Sequence, residues 1–421
     1  MKISFLVIAT EILEGKVQDI NTLALSKFLK SCSLTLDKTI TVSDKQDQIL
    51  ESLKLLSSSD LVVISGGLGP TPDDLTKDCL AKFLQVPLVR TKNSEEIARK
   101  NYEDKGQPFS PDHPYQQIPQ NSQALYNPEG YAPGLLFNSG NTRYISLPGV
   151  PREFRAMMEL HLPNILHGGE NYLDDFIIRT KGIAEEKIFT ELDSSLWERL
   201  SEFGPVASLP YLYGVDITLR LNGKTPAELE TKKEAINSFL ATHPLKKYIW
   251  HIGDDTLEER IIHLARTLKL QFGFAESCTG GLCSDKITNI NGSSAVFYGS
   301  VVCYNTQIKT DLLKVSPETL KDHDVVSEAV AIEMAQGLHS LYPIDVAVAI
   351  TGYAGPHDKE EQIPIGTVCI GISSSLGVFS QRLHFVGDRQ RLKEYFQQAA
   401  LFQLLETLEK LALVDMSSSP L

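Results

Sequence analysis

The 421-residue sequence predicts an α/β protein of three domains: a doubly wound domain first, a small α+β unit in the middle, and a second α/β domain at the end. Short apolar, β-branched runs alternate with amphipathic stretches, the pattern of helices wrapped on a largely parallel sheet. The alternation changes character between residues 174 and 251 and resumes from residue 254. Two strand-like runs exit into glycine-rich polar loops, where an open sheet receives ligands.

Ile3 to Ala9 reads as the first strand, followed by a helical pattern from Asn21 to Leu29. Lys38 to Val42 and Leu61 to Ser65 repeat the strand signal, with a helix from Gln46 to Leu56 between them. The polar, proline-bearing stretch Asp104 to Asn121 reads as a surface loop. Gly130 to Pro133, Tyr144 to Leu147 and a helix opened by Pro151 complete a domain over residues 1–168, with His167-Gly168-Gly169 as its boundary. In the middle unit, residues 174–251, Phe176 to Lys181 and Val215 to Leu221 read as strands. Ala184 to Leu196 and Pro226 to Leu240 read as its helices, and Lys247 to His251 as a last short strand. The third domain, residues 254–415, opens at Thr256, with Glu259 spaced for a capping box. Its strands are expected at Phe272 to Ala275, Val296 to Cys303, Val346 to Ile350 and Gly366 to Ile372, and Met416 to Leu421 as a disordered tail.

Composition narrows the function classes. The chain is 42% hydrophobic and 22% charged, enough apolar material for several cores. A net charge of −13 argues against nucleic-acid and membrane-surface partners. Six scattered cysteines without a CxxC predict a reduced, cytoplasmic chain with no zinc site. No apolar run approaches the roughly 18 residues that cross a bilayer. The N-terminal run leads directly to Glu11 without a cleavage site, so it reads as a strand and not a signal peptide.

The motifs carry more. Ala275-Glu276-Ser277-Cys278-Thr279-Gly280-Gly281 leaves a strand and enters a helix. Behind it follow Gly292-Ser293-Ser294, Tyr304-Asn305 with Lys309, Val326-Ser327-Glu328, Thr351-Gly352-Tyr353-Ala354-Gly355-Pro356 and Gly387-Asp388-Arg389. In this order and spacing they resemble the C-terminal domain of the CinA family. The resemblance implies a hydrolase that converts the carboxamide of nicotinamide mononucleotide to the carboxylate and ammonia. An amidase needs a nucleophile, a base and donors for the oxyanion. The histidines fall outside the glycine-rich loops, except His357, so a Ser-His-Asp set is not signalled. Cys278 has no local partner, and lysine is the remaining candidate base.

The resemblance gives Ser294 as nucleophile, Lys309 as base and Tyr304 as proton relay. It gives Ser277, Thr279, Gly280 and Gly281 as substrate-binding residues, with the helix N-terminus facing the nucleotide phosphate, and Thr351 and Gly352 lining the pocket. No cofactor is expected for the amidase. Each residue also has a plainer reading: Ser277 or Thr279 as a helix cap, Ser293 and Ser294 as turn residues, Lys309 on a solvated helix face, Tyr304 as a strand residue. Gly387-Asp388-Arg389 reads as an ion-paired turn. Asp324-Val325 stands where the family usually has Gly-Ala.

The first half carries Gly66-Gly67-Leu68-Gly69-Pro70-Thr71-Pro72-Asp73-Asp74 after a strand. Glycines admit a phosphate to the backbone, and a helix starting near Asp73 would supply N–H donors. This run resembles the domain shared by CinA and molybdopterin-binding proteins. The resemblance implies binding or metal-dependent hydrolysis of an ADP-ribose-like nucleotide by Gly66, Gly67, Gly69, Thr71 and Gly149. Asp73, Asp74 and Glu11 would hold a divalent metal. Ala9 replaces the family's usual glycine, and Asp19-Ile20-Asn21 its Asn-Thr-Asn, so the hydrolytic activity is expected to be weakened. A homo-oligomer is expected. The rival readings are a non-catalytic competence or recombination accessory protein and a molybdopterin-handling enzyme, which would lack the C-terminal module.

Overall fold

All six residues of the first strand, Ile3–Ile8, are buried, as in a strand covered by helices on both faces. The computed structural model describes residues 1–110, 113–166, 171–356 and 363–418, with side chains through Val414. The boundary expected at His167-Gly168-Gly169, His357 and the last three residues of the tail lie outside the described residues.

Contacts divide the chain into two compact units, residues 1–175 with 220–235, and residues 176–219 with 236–421. In the first, β1 (Ile3–Ile8), β2 (Lys38–Val42), β3 (Leu61–Ser65), β4 (Gln123–Leu125), β5 (Gly134–Ser139) and β6 (Thr142–Leu147) form one sheet in the order β2-β1-β3-β6-β5-β4. β1, β2, β3 and β6 are parallel, and β5 and β4 add antiparallel at one edge. Side chains alternate between two cores. Phe5, Val63 and Ile145 pack with α1 (Asn21–Ser31) and a helix at Pro151–His161. Leu6, Ile64 and Tyr144 pack with α2 (Gln46–Leu56) and α3 (Thr76–Leu84).

The middle segment contributes β7 (Tyr172–Thr180), β8 (Val206–Tyr211), β9 (Gly214–Gly223) and β10 (Ile249–Ile252), in the order β8-β9-β7-β10. The division between the units falls within β7, β9 and the helix Pro226–Thr242.

In the second unit the capping box is present: the Glu259 amide donates to the Thr256 hydroxyl (3.2 Å) and the Thr256 amide to the Glu259 carboxylate (2.8 Å). The sheet runs β12-β11-β13-β14-β15, from β11 (Phe272–Glu276), β12 (Phe297–Val302), β13 (Val346–Gly352), β14 (Thr367–Ser374) and β15 (Gly377–His384). The first three are parallel and the last two antiparallel. Phe272, Phe274, Val348 and Ile370 pack on one face with the helices Leu257–Leu268 and Arg389–Ser418, whereas Ala275, Ala347 and Ala349 pack on the other with Glu328–Leu341. β11, central among the parallel strands, has β12 and β13 on opposite sides. A crevice forms at the carboxyl ends of strands arranged this way.

Several local expectations are corrected. The helix expected near Asp73 starts at Thr76. Asp104 to Asn121 is no plain surface loop: Tyr102, Phe109, His113 and Tyr115 form a ring cluster and Ile118 is buried. Aromatic packing of this kind has no period to read. Ala184 to Leu196 breaks into Glu185–Lys187, a wide turn over Ile188–Leu192, and Leu196–Ser201. β15 went unpredicted because it is an edge strand with no buried position, and so no alternation. Met416 to Ser418, expected in a disordered tail, continue the last helix.

Asp324 ends the helix Pro317–His323 at φ 66°, ψ 159°, a region that only glycine occupies without strain. This is the position where Asp stands for the family's usual glycine. We predict that Asp324→Gly stabilises the protein by about 1 kcal/mol, strain relief outweighing the greater chain entropy of glycine. A thermal melt checks this, and an unchanged or lower midpoint would show the strain to be absorbed elsewhere.

Candidate functional site

β11 delivers Glu276 and Ser277 to the carboxyl end of the sheet. Glu276 is fully buried. Its carboxylate accepts hydrogen bonds from the amides of Gly281 (3.0 Å), Cys283 (3.1 Å) and Ser284 (3.0 Å) and from the Ser284 hydroxyl (2.6 Å). A buried carboxylate persists only with such a full set of donors. It folds residues 277–281 into a tight loop ending at Gly281, whose φ of 100° suits glycine. The Ser277 amide donates to Ile350 O on β13 (3.0 Å).

The helix Thr306–Asp311 begins just beyond β12, capped by Asn305, whose side chain accepts from the Gln307 amide (2.8 Å). It carries Lys309, only 2% exposed. The Lys309 ammonium donates to Cys303 O (2.6 Å) and to Ser277 Oγ (2.9 Å). Burial pushes its pKa below the ordinary 10.5, a fall only partly opposed by the nearby Cys303 and Cys278 thiols. Burial also pushes the Cys278 thiol up to about 12, and its sulfur packs into the core. It is a poor source of thiolate.

Ser277 and Lys309 open into a cavity of about 280 Å³, lined also by Tyr304, Thr351, Gly352 and Arg389. Thr351 is buried and its hydroxyl donates to Val325 O (2.7 Å), fixing the cavity wall. Tyr304 stands 64% exposed at the rim, where its hydroxyl accepts from Arg389 Nη2 (3.1 Å). The other Arg389 Nη donates to Gly355 O. Arg389 is thus a pocket residue, not the ion-paired turn expected, and Asp388 caps the last helix through the Arg391 amide (2.9 Å).

Two sequence expectations are corrected here. Ser294 does not meet Lys309. It is exposed in the turn Ser293–Ala295 before β12, and the register Phe272↔Phe297 sets that turn beside the amino end of β11. Ser277 follows the carboxyl end, roughly 15 Å away at about 3.3 Å per strand residue. The phosphate cradle at Thr279, Gly280 and Gly281 is also overturned. The Glu276 carboxylate already holds the amides of Gly281, Cys283 and Ser284, Thr279 is buried beside the Cys283 thiol, and neither Thr279, Gly280 nor Gly281 lines the cavity.

The first unit holds a second cavity, of about 600 Å³, at the carboxyl ends of β1, β3 and β6. Glu11, Gly66, Gly67, Gly69, Asp73, Asp74 and Gly149 line it, whereas Thr71 does not. Gly66 sits at φ 106°, and a Cβ there would strike the Ile8 carbonyl. The Asn21 side chain donates to Ser65 Oγ (3.0 Å) and Gly149 O (2.8 Å), joining three of the loops. Asp19 accepts from the Thr22 amide (3.0 Å), which gives that substitution a helix-capping role. Ala9 has φ −165°, extended backbone that needs no glycine. Tyr115, Tyr131 and Glu153 complete the wall and were not anticipated.

The metal expectation does not fit these residues. Asp74 accepts from the amides of Gly69 (2.8 Å) and Thr71 (2.9 Å) and from the Thr71 hydroxyl, so it ties the loop. Among the described residues no group of three or more His, Cys, Asp or Glu side chains is arranged to hold a metal ion. Nor is any described helix long and apolar enough to cross a membrane.

Comparison with known proteins decides the family. Residues 254–408 match the CinA C-terminal domain and residues 4–167 a probable molybdopterin binding domain. A putative competence-damage inducible protein of Caldicellulosiruptor bescii is 33% identical over 94% of this chain and 96% of its own. The chain belongs to the CinA family. A CinA-like protein of Chloroherpeton thalassium is 32% identical over 95% of this chain and 98% of its own. A solved CinA protein of Thermoplasma acidophilum is 32% identical over 39% of this chain and 98% of its own, with a TM-score of 0.36. In this CinA chain, sequence reasoning gave Glu276 no role. The available signal was an acid placed just before a helix N-terminus, where negative charge is favoured.

Replacing Glu276 by Gln sets an amide NH₂ against N–H donors. We expect Glu276→Gln to lower stability by about 2–3 kcal/mol, the cost of leaving buried donors unmatched. Urea unfolding measures it, and a loss under about 0.5 kcal/mol would show that the loop does not depend on this carboxylate. For Lys309 the lowered pKa sets the sign. Its charged form penalises the folded state below the folded pKa, and the penalty fades as pH rises from there toward 10.5. The stability difference between wild type and Lys309→Met should shift in favour of wild type over that window.

Proposed function

We propose that the C-terminal site is a serine–lysine amidase acting on nicotinamide mononucleotide. The observation that carries this reading is the buried Lys309 amine 2.9 Å from Ser277 Oγ at the floor of a cavity. The substrate follows from the family resemblance, and a floor that among the described residues carries no carboxylate suits a neutral carboxamide.

Each step draws on residues of this chain. Dehydration favours the neutral amine, which accepts the Ser277 proton as Oγ attacks the carboxamide carbon. Cys303 O holds the Lys309 nitrogen in line. The Cys278 backbone lines the cavity, and its amide makes no hydrogen bond to another of the described residues, so it stands available for the oxyanion. The Lys309 ammonium returns the proton to the departing nitrogen, and ammonia leaves. The same amine then draws a proton from water, which attacks the Ser277 ester; as the C–O bond breaks, the Lys309 ammonium returns that proton to Ser277 Oγ and nicotinate mononucleotide leaves. Every proton step uses a side chain, so ammonia release is expected to survive a strong chelator.

For the N-terminal cavity we infer a nucleotide-binding role, supported by the Gly66-Gly67 backbone at its floor and by tyrosines on its wall. No metal-assisted step is assigned to it.

Ser277→Ala is expected to lower ammonia release from nicotinamide mononucleotide by at least about a thousandfold, because the nucleophile acts in the transition state. Ser294→Ala should stay near wild type, and the reverse ranking would return the nucleophile to Ser294. Turnover should rise with pH along a limb set by Lys309, below pH 10.5; a flat profile from about pH 6 to 10 would exclude a lysine base. Asp74→Asn should weaken ADP-ribose binding in calorimetry and leave ammonia release unchanged, since Asp74 belongs to the other unit. Unchanged ADP-ribose affinity would show that the Gly69–Asp74 loop takes no part in binding.

A further inference from the structure

The geometry points to Arg389 as the residue that selects phosphorylated substrates at the C-terminal site, a role that rests on the amidase reading above. Three amides of the helix end behind Gly281 are held by Glu276 and that end does not line the cavity, so a phosphate on a substrate bound there calls for another partner. Arg389 lines the same cavity as Ser277 and Lys309 and is exposed at its mouth. Two hydrogen bonds fix its guanidinium: one Nη donates to Gly355 O and the other to Tyr304 Oη (3.1 Å). A guanidinium has five N–H donors in a rigid fork, so donors remain for an anion. Among the described residues Arg389 forms no ion pair, and no Asp or Glu lines the cavity.

The setting is unusual for this chain, which carries a net charge of −13. Arg389 is also the first residue of the helix Arg389–Ser418, whose N-terminal dipole has the same sign. A cavity whose described lining carries cationic groups and no carboxylate, in an acidic protein, concentrates anions at its mouth. The floor holds the reacting pair and the rim holds the guanidinium, so the substrate is a carboxamide with an anionic group remote from the amide. Binding energy from that remote group holds the amide at Ser277. Tyr304 has a corresponding role: it positions the Arg389 fork.

The test compares nicotinamide mononucleotide with nicotinamide riboside, which lacks the phosphate, in full-length wild type, Arg389→Gln and Arg389→Lys. For Arg389→Gln, KM for the nucleotide is expected to rise about 10- to 100-fold with kcat within a few-fold, as for loss of a charge-assisted contact to phosphate. The kcat/KM for the riboside should be unchanged, and Arg389→Lys should fall between, keeping charge without the fork. Equal losses on both substrates would overturn the proposal in favour of a structural role, and an unchanged KM for the nucleotide would overturn it outright. Calorimetric titration of ribose 5-phosphate separates this result from failure of the amidase reading. If wild type releases no ammonia yet loses ribose 5-phosphate affinity on Arg389→Gln, the anion site stands and the amidase falls. If the variant binds ribose 5-phosphate as wild type does, the anion site falls.

Discussion

The buried carboxylate of Glu276 is the interaction on which the C-terminal site depends. Through four donors it shapes the loop that follows β11. Its backbone carbonyl accepts from the Cys303 amide (2.8 Å), and the Cys303 carbonyl in turn receives Lys309 Nζ. One residue therefore joins the strand that leads to Ser277 to the segment that leads to Lys309. The circuit closes when Lys309 reaches Ser277 Oγ and the Ser277 amide reaches Ile350 O. Isolated burial of a lysine amine or of a carboxylate is costly. Here each charged group meets polar partners, which lowers that cost and leaves little freedom in side-chain position.

The two units use one device. In each, a glycine-bearing loop leaves a parallel strand, and a carboxylate from the chain itself ties the loop through backbone amides: Asp74 in the first, Glu276 in the second. A carboxylate in such a loop looks like ligand chemistry in sequence, yet these two are anchors. The distinction follows from valence. A carboxylate already accepting three or four hydrogen bonds has little capacity left for a metal or a proton in transit.

Charge is distributed against the average of the chain. The chain is acidic as a whole, but among the described residues the C-terminal cavity is lined by Lys309 and Arg389 and by no carboxylate. One cavity thus holds a buried amine, Lys309, and an exposed guanidinium, Arg389. Net charge, a sum over the whole surface, is silent on such a local reversal.

The parallel strands of the two α/β domains, the helices Asn21–Ser31, Gln46–Leu56 and Pro151–His161, the Thr256 cap and the two glycine-rich loops were legible in the sequence, because buried strands, amphipathic periods and caps are local patterns. So were Lys309, Thr351 and Gly352 as pocket residues, through the family motif. β15 was not legible, since an edge strand with two solvated faces has no alternation. The choice between Ser277 and Ser294 was not legible either. Both stand in plausible loops, and only the parallel register of β11 with β12 puts one at the carboxyl end and the other at the amino end. Likewise, Asp388-Arg389 reads as a local pair until the fold carries Arg389 to Tyr304, 85 residues earlier in the chain. What the sequence determined by itself was the type of each element and the stock of reactive groups. Which of those groups meet was decided by tertiary structure, because strand order and register bring together residues whose separation along the chain carries no local signal.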